Sequence, residues 1–273
     1  MAITYPTPSG WIELEMNLEN ITPLILTFNE QDNLRGTLAG LHWAQRIVVV
    51  DSGSTDETLA IAAEFDQVCV VTRRFDHFAD QCNFGLQHVE TEWVLSLDAD
   101  YRCSDALAQE IAECDGDNAG YEAAFRYAIY GKLLSASLYP PRVVLYRKAS
   151  AEYHRDGHAH RVQVIGPLSR LEISIIHDDR KPLSTWFTAQ LRYANAEATK
   201  LSGNQGSDLG WKDRLRKKIV FAPLLTPAYC LFVKRLIFDG WAGIFYTLQR
   251  TFAELTLSLV LLDRFLQGQS KPD

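Results

Sequence analysis

The chain has 273 residues, a length that favours one α/β-sized domain with an appendage over a small stapled module or two full domains. Hydrophobic residues make up 47% of it and charged residues 22%, which excludes disordered, collagen-like and coiled-coil proteins. The net charge of −7 argues against nucleic-acid binding, so a phosphate-bearing substrate would need a metal or a local basic patch.

The first half of the chain has the pattern of alternating strands and helices. Apolar residues 21–28 predict a buried strand, leucines at helical spacing predict a helix within 31–43, and residues 46–50 predict a second strand. Ser54 and Glu57 have the spacing of a capping box, which predicts that Ser54 is the N-cap of the next helix. This order is typical of a β-α-β unit.

The alternation continues toward the middle of the chain. Residues 68–72 predict a third strand, residues 80–89 a helix and residues 92–97 a fourth strand. Strands and helices in this order favour a doubly wound, mostly parallel sheet, which binds ligands beyond the carboxyl ends of its strands.

Three of the predicted strands end at polar residues. Asn29 and Glu30 follow the first strand, Asp51 the second, and Asp98 and Asp100 the fourth. A D-x-D pair at the mouth of a sheet offers the hard oxygen ligands that hold Mg²⁺ or Mn²⁺. Taken alone, such pairs are more often turn or cap residues, and the neighbouring polar strand ends are what favour a site.

Later segments change character. Short alternating runs within residues 121–176 predict added, partly antiparallel strands, and residues 182–201 have the spacing of a long amphipathic helix. Residues 211–218 are strongly basic, and the apolar residues 219–233 that follow are too few for a helix that spans a bilayer.

Two hypotheses explain this basic and then apolar pattern. The first is an interfacial helix pair on anionic lipid, with Arg214, Arg216, Lys217 and Lys218 facing the membrane. The second is ordinary packing on the main domain. It concerns five apolar side chains, namely Leu224, Leu225, Phe232, Ile237 and Trp241.

Four segments together carry a family resemblance. They are 27–30 (TFNE), 49–56 (VVDSGSTD), 83–85 (NFG) and 95–100 (LSLDAD). In this order they resemble the family-two glycosyltransferases with the GT-A nucleotide-diphospho-sugar-binding fold. The resemblance covers roughly residues 21–102 and implies an α/β, doubly wound, mostly parallel sheet. We expect this domain over residues 1–205, followed by a C-terminal helical segment over 206–273.

The resemblance also implies donor-binding roles. Residues Thr27, Phe28, Asn29 and Glu30 would line the pocket for base and ribose. Asp51 would accept a hydrogen bond from a ring N–H of a uracil-like base, since a carboxylate only accepts. For Phe28, burial as a core aromatic is an equally good interpretation.

The other implied roles concern the diphosphate and the metal. Asp98 would lie near the ribose or a water on the metal, and Asp100 would bind Mg²⁺ or Mn²⁺ directly. His177 would complete the metal shell, or else be a strand-end histidine with a local partner. Arg73 and Arg74 follow the third strand, and Arg74 is the candidate for the diphosphate, although paired arginines are often simply solvated.

The resemblance leaves the catalytic base open. Related enzymes often have Gly-x-x-His-Glu, whereas here Arg161 stands at the position of that glutamate. Asp156 is the first choice and His158 the second, because removing a proton from an acceptor hydroxyl needs a carboxylate or an imidazole. A turn role for Asp156 before Gly157 is nearly as good an interpretation.

These features predict an inverting, metal-dependent glycosyltransferase. Its donor would be a nucleotide-diphospho-sugar, by expectation a UDP-sugar, and its acceptor a glycan or a lipid-linked glycan of the bacterial envelope, as in lipopolysaccharide-core synthesis. Two alternatives remain open. One is a metallohydrolase that binds zinc through His158, His160 and His177, and the other is a catalytically silent nucleotide-sugar-binding protein.

Cysteine usage and the first residues bear on localisation. The five cysteines include no C-x-x-C pair, which predicts neither a disulfide framework nor a cysteine-rich zinc module. Residues 1–10 lack the order of a secretory signal. We therefore expect a cytoplasmic protein, with peripheral contact at the inner face of the cytoplasmic membrane.

Overall fold

Strands and helices alternate from residue 21 to residue 98. The computed structural model describes residues 16–156, 159–203, 216 and 218–269. Its first strands are β1 (Ile21–Thr27), β2 (Ile47–Asp51), β3 (Val68–Thr72) and β4 (Trp93–Asp98). The helices between them are α1 (Leu34–Ala39), α2 (Thr58–Ala62) and α3 (Phe78–Leu86). The predicted β-α-β alternation is confirmed.

The later strands are short. They are β5 (Tyr101–Arg102), β6 (Gly120–Ala123), β7 (Phe125–Ile129), β8 (Lys132–Leu133), β9 (Arg142–Arg147), β10 (Ala151–Asp156), β11 (Ala159–Val164), β12 (Leu168–Arg170) and β13 (Ile175–His177). The main sheet has seven strands in the order β12, β6, β9, β4, β1, β2, β3, and only the pairs of β9 are antiparallel. This confirms the predicted mostly parallel sheet with partly antiparallel additions.

Both faces of the main sheet are covered. On one face, α1, α2 and α4 (Asp105–Ala112) contribute to one apolar core, and on the other face α3 packs together with the β10–β11 hairpin. Every residue of β2 is buried, as expected for a central parallel strand covered on both sides. The polar ends of the central strands therefore project from a rigid, well-packed sheet.

The loop between β2 and α2 differs from the prediction. The capping-box prediction for Ser54 is wrong, because α2 begins at Thr58. The Ser54 hydroxyl instead donates to Asp51 Oδ1 at 2.5 Å and accepts from the Asn29 backbone N–H at 2.9 Å. Asp56 Oδ1 accepts the Thr58 N–H at 3.0 Å. The buried Asp51 carboxylate thus holds the hydroxyl that would otherwise have capped the helix.

The Asn-Phe-Gly segment of α3 has a structural explanation. Asn83 Nδ2 donates to the Tyr153 carbonyl oxygen at 2.9 Å, and the Tyr153 N–H donates to Asn83 Oδ1 at 3.1 Å. A Cβ at Gly85 would lie 2.5 Å from a Leu24 methyl group and 2.8 Å from one of Val50. Gly85 therefore lets α3 approach the sheet closely, and Asn83 fastens strand β10 to it.

Replacing Asn83 with alanine is expected to lower the free energy of unfolding by about 2 kcal/mol, because two backbone groups of Tyr153 lose their partners. Urea denaturation would measure the change. Gln87→Ala, at an exposed position just after α3, is the matched control and should change stability by less than about 0.5 kcal/mol. Equal midpoints for the two variants would contradict this role of Asn83.

A four-stranded sheet lies beyond the end of β4, with the strand order β5, β13, β7, β8. His177, the last residue of β13, is in register with Tyr101 of β5 on one side and Tyr127 of β7 on the other. This small sheet therefore brings His177, far along the chain, next to the segment that follows Asp100.

The C-terminal part is helical. It contains α5 (Leu183–Gly203), α6 (Phe221–Ala228), a π-helical turn (Tyr229–Val233), a 3₁₀ turn (Leu236–Asp239) and α7 (Trp241–Gln269). The long helix predicted for 182–201 is confirmed by α5, which packs on α7 around Ala198 and Leu257. Among the residues described, no helix has both the length and the apolar character needed to cross a membrane.

Two expectations for this region need correction. The five apolar residues from Leu224 to Trp241 that could have packed on the main domain keep 44–69% of their surface exposed, so it covers them only in part. Their neighbours Cys230, Leu236 and Tyr246 instead form a buried core with Ile129 and Leu134 of the main domain. Arg216 is not a free basic residue either. Its guanidinium contacts Glu254 of α7 at 2.6 Å and Glu197 of α5 at 3.5 Å, and these ion pairs join the two helices. Arg214 and Lys217 lie outside the described residues.

Candidate active site

The polar strand ends meet at one edge of the main sheet. Thr27 is in register with Asp51, and Leu26 with Asp98, so the carboxyl ends of β4, β1 and β2 are adjacent. Neighbouring strands are about 4.8 Å apart, which brings the residues that follow these three strands within reach of one small molecule.

Asp51 is fully buried and its acceptor positions are used within the protein. Oδ2 accepts the backbone N–H groups of Gly53 at 2.8 Å and Ser54 at 2.9 Å. Oδ1 accepts the hydroxyls of Ser54 at 2.5 Å and Thr27 at 3.1 Å. A carboxylate offers about four acceptor positions. Direct reading of a base N–H by Asp51 therefore stays a prediction that requires one of these donors to move.

The residues after β1 have different surroundings. Phe28 is 53% exposed, so its interpretation as a core aromatic is wrong and its face is open to a ligand. Asn29 has a left-handed backbone with φ of 53° and accepts the Thr55 N–H at 2.9 Å through its side chain. Asn29 thus joins the loops after β1 and β2, and its contact with a ribose stays a prediction.

Asp100 and His177 are in direct contact. His177 Nε2 lies 3.0 Å from Asp100 Oδ2, and the Asp178 N–H donates to the Asp100 carbonyl oxygen at 3.1 Å. The ring of His177 packs against those of Tyr127 and Tyr101, with centroids 4.4 and 5.3 Å away. The two residues that sequence analysis assigned to one metal shell therefore lie side by side.

Burial in this aromatic setting lowers the pKa of His177, but nearby carboxylates outweigh it. Asp100 contributes most, through charge and hydrogen bonding, and Asp98 and Asp179 act at longer range, so the pKa lies above its usual value. The cluster of acids therefore favours the protonated form of the imidazole more than water does.

The donor atoms around Asp100 fit a divalent cation shared with a substrate. Asp100 Oδ1 is buried and has no hydrogen-bond partner among the described residues, which is unfavourable unless a ligand satisfies it. Within the described part of the chain, no group of three or more His, Cys, Asp and Glu residues could hold a metal by itself. Mg²⁺ commonly takes only one or two protein carboxylates and completes its shell with substrate phosphates and water.

A second polar network, which sequence analysis did not assign, joins the loop after β1 to the segment after β13. Lys181 Nζ forms an ion pair with Glu30 Oε1. Asn33 Nδ2 donates to Glu30 Oε2 and to Asp179 Oδ1, each at 3.0 Å, and Asn33 Oδ1 accepts the Arg180 N–H at 2.8 Å. Glu30, whose side chain is 13% exposed, is thereby held in place by two neighbours, and its contact with a base or ribose stays a prediction.

Glu30 has a strongly shifted pKa. Burial raises it most, Lys181 lowers it, and Asp100 raises it again, with the result that the pKa rises from 4.5 to about 7. The pKa of Lys181 is also raised, because the attraction of Glu30 and of the nearby aspartates outweighs the effect of burial. The pair therefore consists of a permanently charged ammonium and a carboxyl that titrates near neutral pH.

Asp178 anchors the same segment. Its buried carboxylate accepts from Arg180 Nε at 2.9 Å and lies 3.1 Å from Arg102 Nε. Arg102 stands two residues after Asp100, so the D-x-D turn and the 178–181 segment are fixed to each other. The sequence predicts a role only for His177 in this segment, because the partners of Asp178 and Arg180 depend on the fold.

The two arginines after β3 differ in availability. Arg73 donates to both Asp76 oxygens, at 2.7 and 2.8 Å, and to Gln81 Oε1 at 2.7 Å. Arg74 is exposed and makes no hydrogen bond or ion pair with a described residue. Of the two, Arg74 is therefore the better candidate for a diphosphate contact, and this role stays a prediction.

The structure describes one of the two candidate bases. Asp156 is the last residue of β10 and pairs in register with Ala159, and His158 lies outside the described residues. Their catalytic roles stay predictions. The metallohydrolase hypothesis needs His158 too, and it gains no support from His177, whose Nε2 is bonded to Asp100.

Comparison with known proteins identifies a family. The family model described as glycosyl transferase family 2 matches residues 24–164, which is more than half of the chain. An uncharacterized glycosyltransferase of Rickettsia felis (strain ATCC VR-1525 / URRWXCal2) is 30% identical over 95 residues, 34% of this chain and 33% of that protein. The lipopolysaccharide core biosynthesis glycosyltransferase LpsC of Rhizobium meliloti (strain 1021) is 27% identical over 118 residues, 41% and 44% of the two chains. The alignments thus span a third to less than half of these relatives.

Solved structures give weaker matches. S. aureus TarS 1–349 has a TM-score of 0.44 at 14% identity, over 92% of this chain and 93% of that chain. Glucosyl-3-phosphoglycerate synthase from Mycobacterium tuberculosis, in complex with phosphoglyceric acid, has a TM-score of 0.49 at 15% identity, over 70% and 82%. Both scores lie below 0.5, so the family assignment rests on the sequence match.

Proposed function

We propose that this chain, which belongs to glycosyl transferase family 2, moves a sugar from a nucleotide-diphospho-sugar to a hydroxyl of a glycan or lipid-linked acceptor. The observation that carries the proposal is the Asp100 oxygen beside His177, which has no hydrogen-bond partner among the described residues. It lies at the strand edge where β2 ends at Asp51 and β4 ends at Asp98. A buried carboxylate oxygen with a free acceptor position is the kind of ligand that a cation bound to a diphosphate requires.

The reaction would be a single displacement with inversion. The acceptor oxygen forms a bond to the anomeric carbon, the bond from that carbon to the diphosphate oxygen breaks, and the acceptor proton passes to a base on the protein. Asp156 is the proposed base and His158 the alternative, because removing the acceptor proton needs a carboxylate or an imidazole and both residues adjoin Gly157, where related enzymes have Gly-x-x-His-Glu. In this role the β10–β11 hairpin would face the sugar from the side opposite the diphosphate.

The other side chains would hold the donor. Asp100, with Asp98 nearby, would hold Mg²⁺ or Mn²⁺, which neutralises the charge that develops on the departing nucleoside diphosphate. His177 would orient the Asp100 carboxylate rather than complete the metal shell as predicted, because its Nε2 is bonded to Asp100. Phe28 would stack on the base, and Asp51 would accept from its ring N–H once a loop donor moves away. Arg74 would contact a phosphate oxygen, because its guanidinium has no competing partner among the described residues.

The acceptor and the cellular setting form the last part of the proposal. We place the catalytic domain at residues 1–205 and the helical segment at 206–273, although α5 of the first unit packs against α7 of the second. The large apolar exposure of the helical segment favours an acceptor carried on lipid, such as an envelope or lipopolysaccharide-core intermediate, at the inner face of the cytoplasmic membrane.

A thermal-shift screen tests donor binding. UDP with Mn²⁺ is expected to raise the melting temperature more than UDP with a chelator, because a ligand that binds only the folded state stabilises it. Arg74→Ala should weaken UDP affinity by about tenfold, as expected for one lost hydrogen bond to a charged group. Arg170→Ala, at the opposite edge of the main sheet, is the matched control. No shift with any nucleotide or nucleotide-sugar would refute the proposal.

A further inference from the structure

The helical C-terminal part exposes an unusually apolar surface, here called the docking face. Phe232 is 66% exposed, Leu224 69% and Phe238 83%, and Phe221, Val233 and Trp241 are also more than half exposed. Six large apolar side chains within 21 residues are far more than the scattered exposure of an ordinary surface. A surface of this kind is stable in water only when something covers it.

The tip of the β7–β8 hairpin continues the docking face. The Tyr130 ring lies 6.4 Å from that of Trp241 and 6.0 Å from that of Phe245, and Lys132 Nζ lies 5.8 Å from the Trp241 ring centroid. Tyr130 and Gly131 both have positive φ, 47° and 80°, as a tight two-residue hairpin turn requires. The docking face therefore includes a rigid element of the same sheet that carries His177.

The docking face carries a net positive charge. Among the described residues from 218 to 241, Lys218, Lys234 and Arg235 are basic and Asp239 is the one acid, which gives this stretch a charge of +2 in a chain whose total is −7. Asp239 is held by the Ser135 N–H and hydroxyl, at 2.9 and 3.0 Å. Lys218 and Lys234 lie 6.0 and 5.9 Å from the rings of Phe221 and Tyr229, so basic groups border the apolar side chains.

This combination favours lipid over a second copy of the chain. A symmetric dimer brings the same patch of both copies together, which here would place two positive regions against each other. An anionic bilayer offers acyl chains for the aromatic residues and phosphate groups for the surrounding lysines. The lysine stems can lie along the apolar surface while their charged ends reach the headgroups.

We infer that the docking face, made jointly by the β7–β8 hairpin tip and residues 221–241, lies in the interface of an anionic membrane. Membrane binding at this face would bring a lipid-linked acceptor to the active site, and in this respect the inference rests on the proposed function. Tyr246 of α7 packs 5.1 Å from Tyr127, and Tyr127 packs 4.4 Å from His177. One layer of aromatic rings thus joins the membrane-facing helices to the candidate site.

Vesicle co-sedimentation of the full chain, without any donor, tests the inference. The wild type is expected to bind vesicles of phosphatidylethanolamine and phosphatidylglycerol and to bind phosphatidylcholine vesicles at least about tenfold more weakly. The double variant Phe232→Ser/Phe238→Ser should bind the anionic vesicles at least about tenfold more weakly than the wild type. Tyr130→Ser, in the β7–β8 hairpin, should also weaken binding. If the C-terminal helices bound the membrane without the hairpin, this substitution would have no effect.

The matched control is Ile165→Ser, because Ile165 is 80% exposed but lies outside the docking face. It should bind vesicles as the wild type does. Equal binding by the wild type and the double variant would overturn the inference. Sedimentation velocity gives a second test. A dimeric wild type with a monomeric double variant would also overturn the inference, because a second copy of the chain would then cover the docking face. Vesicle binding that persists without any nucleotide-dependent thermal shift would refute the proposed function and leave the docking face intact.

Discussion

Asp100→Ala is expected to abolish sugar transfer while leaving the protein folded. The substitution removes the buried Oδ1, which has no partner among the described residues, and leaves His177 Nε2 without its acceptor. Loss of a group that stabilises the charge of the leaving diphosphate should reduce the transfer rate by at least about 10³-fold. Release of nucleoside diphosphate from a panel of nucleotide-sugars, in Mg²⁺ and in Mn²⁺, would measure it.

Folding of this variant can be checked separately. Asp100 raises the pKa values of His177 and Glu30, so its removal lets the imidazole become neutral more readily and relieves repulsion on the Glu30 carboxylate. These effects limit the loss of stability, and the melting temperature should fall by only a few degrees. Asp117→Ala, at an exposed and distant aspartate, serves as the control. A wild-type rate in Asp100→Ala would remove the proposed role in metal binding.

The strand edge could be predicted because its signals are local. Each central strand is a short apolar run that ends at a polar residue, and parallel strands place these ends at one edge of the sheet. Sequence alone could not show that Asp51 is already surrounded by donors. The capping-box prediction failed for the same reason, since the fold gives the Ser54 hydroxyl a buried acid that a linear motif cannot reveal.

The contacts after β13 depend on the path of the chain rather than on any pattern. Glu30 and Lys181 are 151 residues apart, and they meet only because β13 inserts between β5 and β7 at the end of β4. The exposure of the apolar C-terminal residues could not be predicted from sequence either. Hydrophobicity predicts that a side chain is removed from water, but not whether protein or lipid covers it.

Lys181→Met is expected to destabilise the protein in a pH-dependent way. The ammonium normally lowers the pKa of Glu30 and balances its buried charge, so without it the Glu30 pKa rises above its present value of about 7. Because this pKa is raised from 4.5, folding favours the protonated acid. The stability from Glu30 is therefore fully present below pH 4.5 and is lost as the pH rises through 7.

The cost of losing Lys181 thus depends on whether Glu30 is charged. Near pH 6 the acid is mostly protonated and the variant should lose about 1 kcal/mol, whereas at pH 8.5 an unpaired buried carboxylate should make the loss about 3 kcal/mol. Urea denaturation at the two pH values gives the comparison. The double variant Glu30→Gln/Lys181→Met has no buried charge to leave unpaired, so its stability should lie within about 1 kcal/mol of the wild type at both. A loss that is equal at pH 6 and pH 8.5, or a double variant no more stable than Lys181→Met, would show that packing of the lysine stem rather than its charge supports this site.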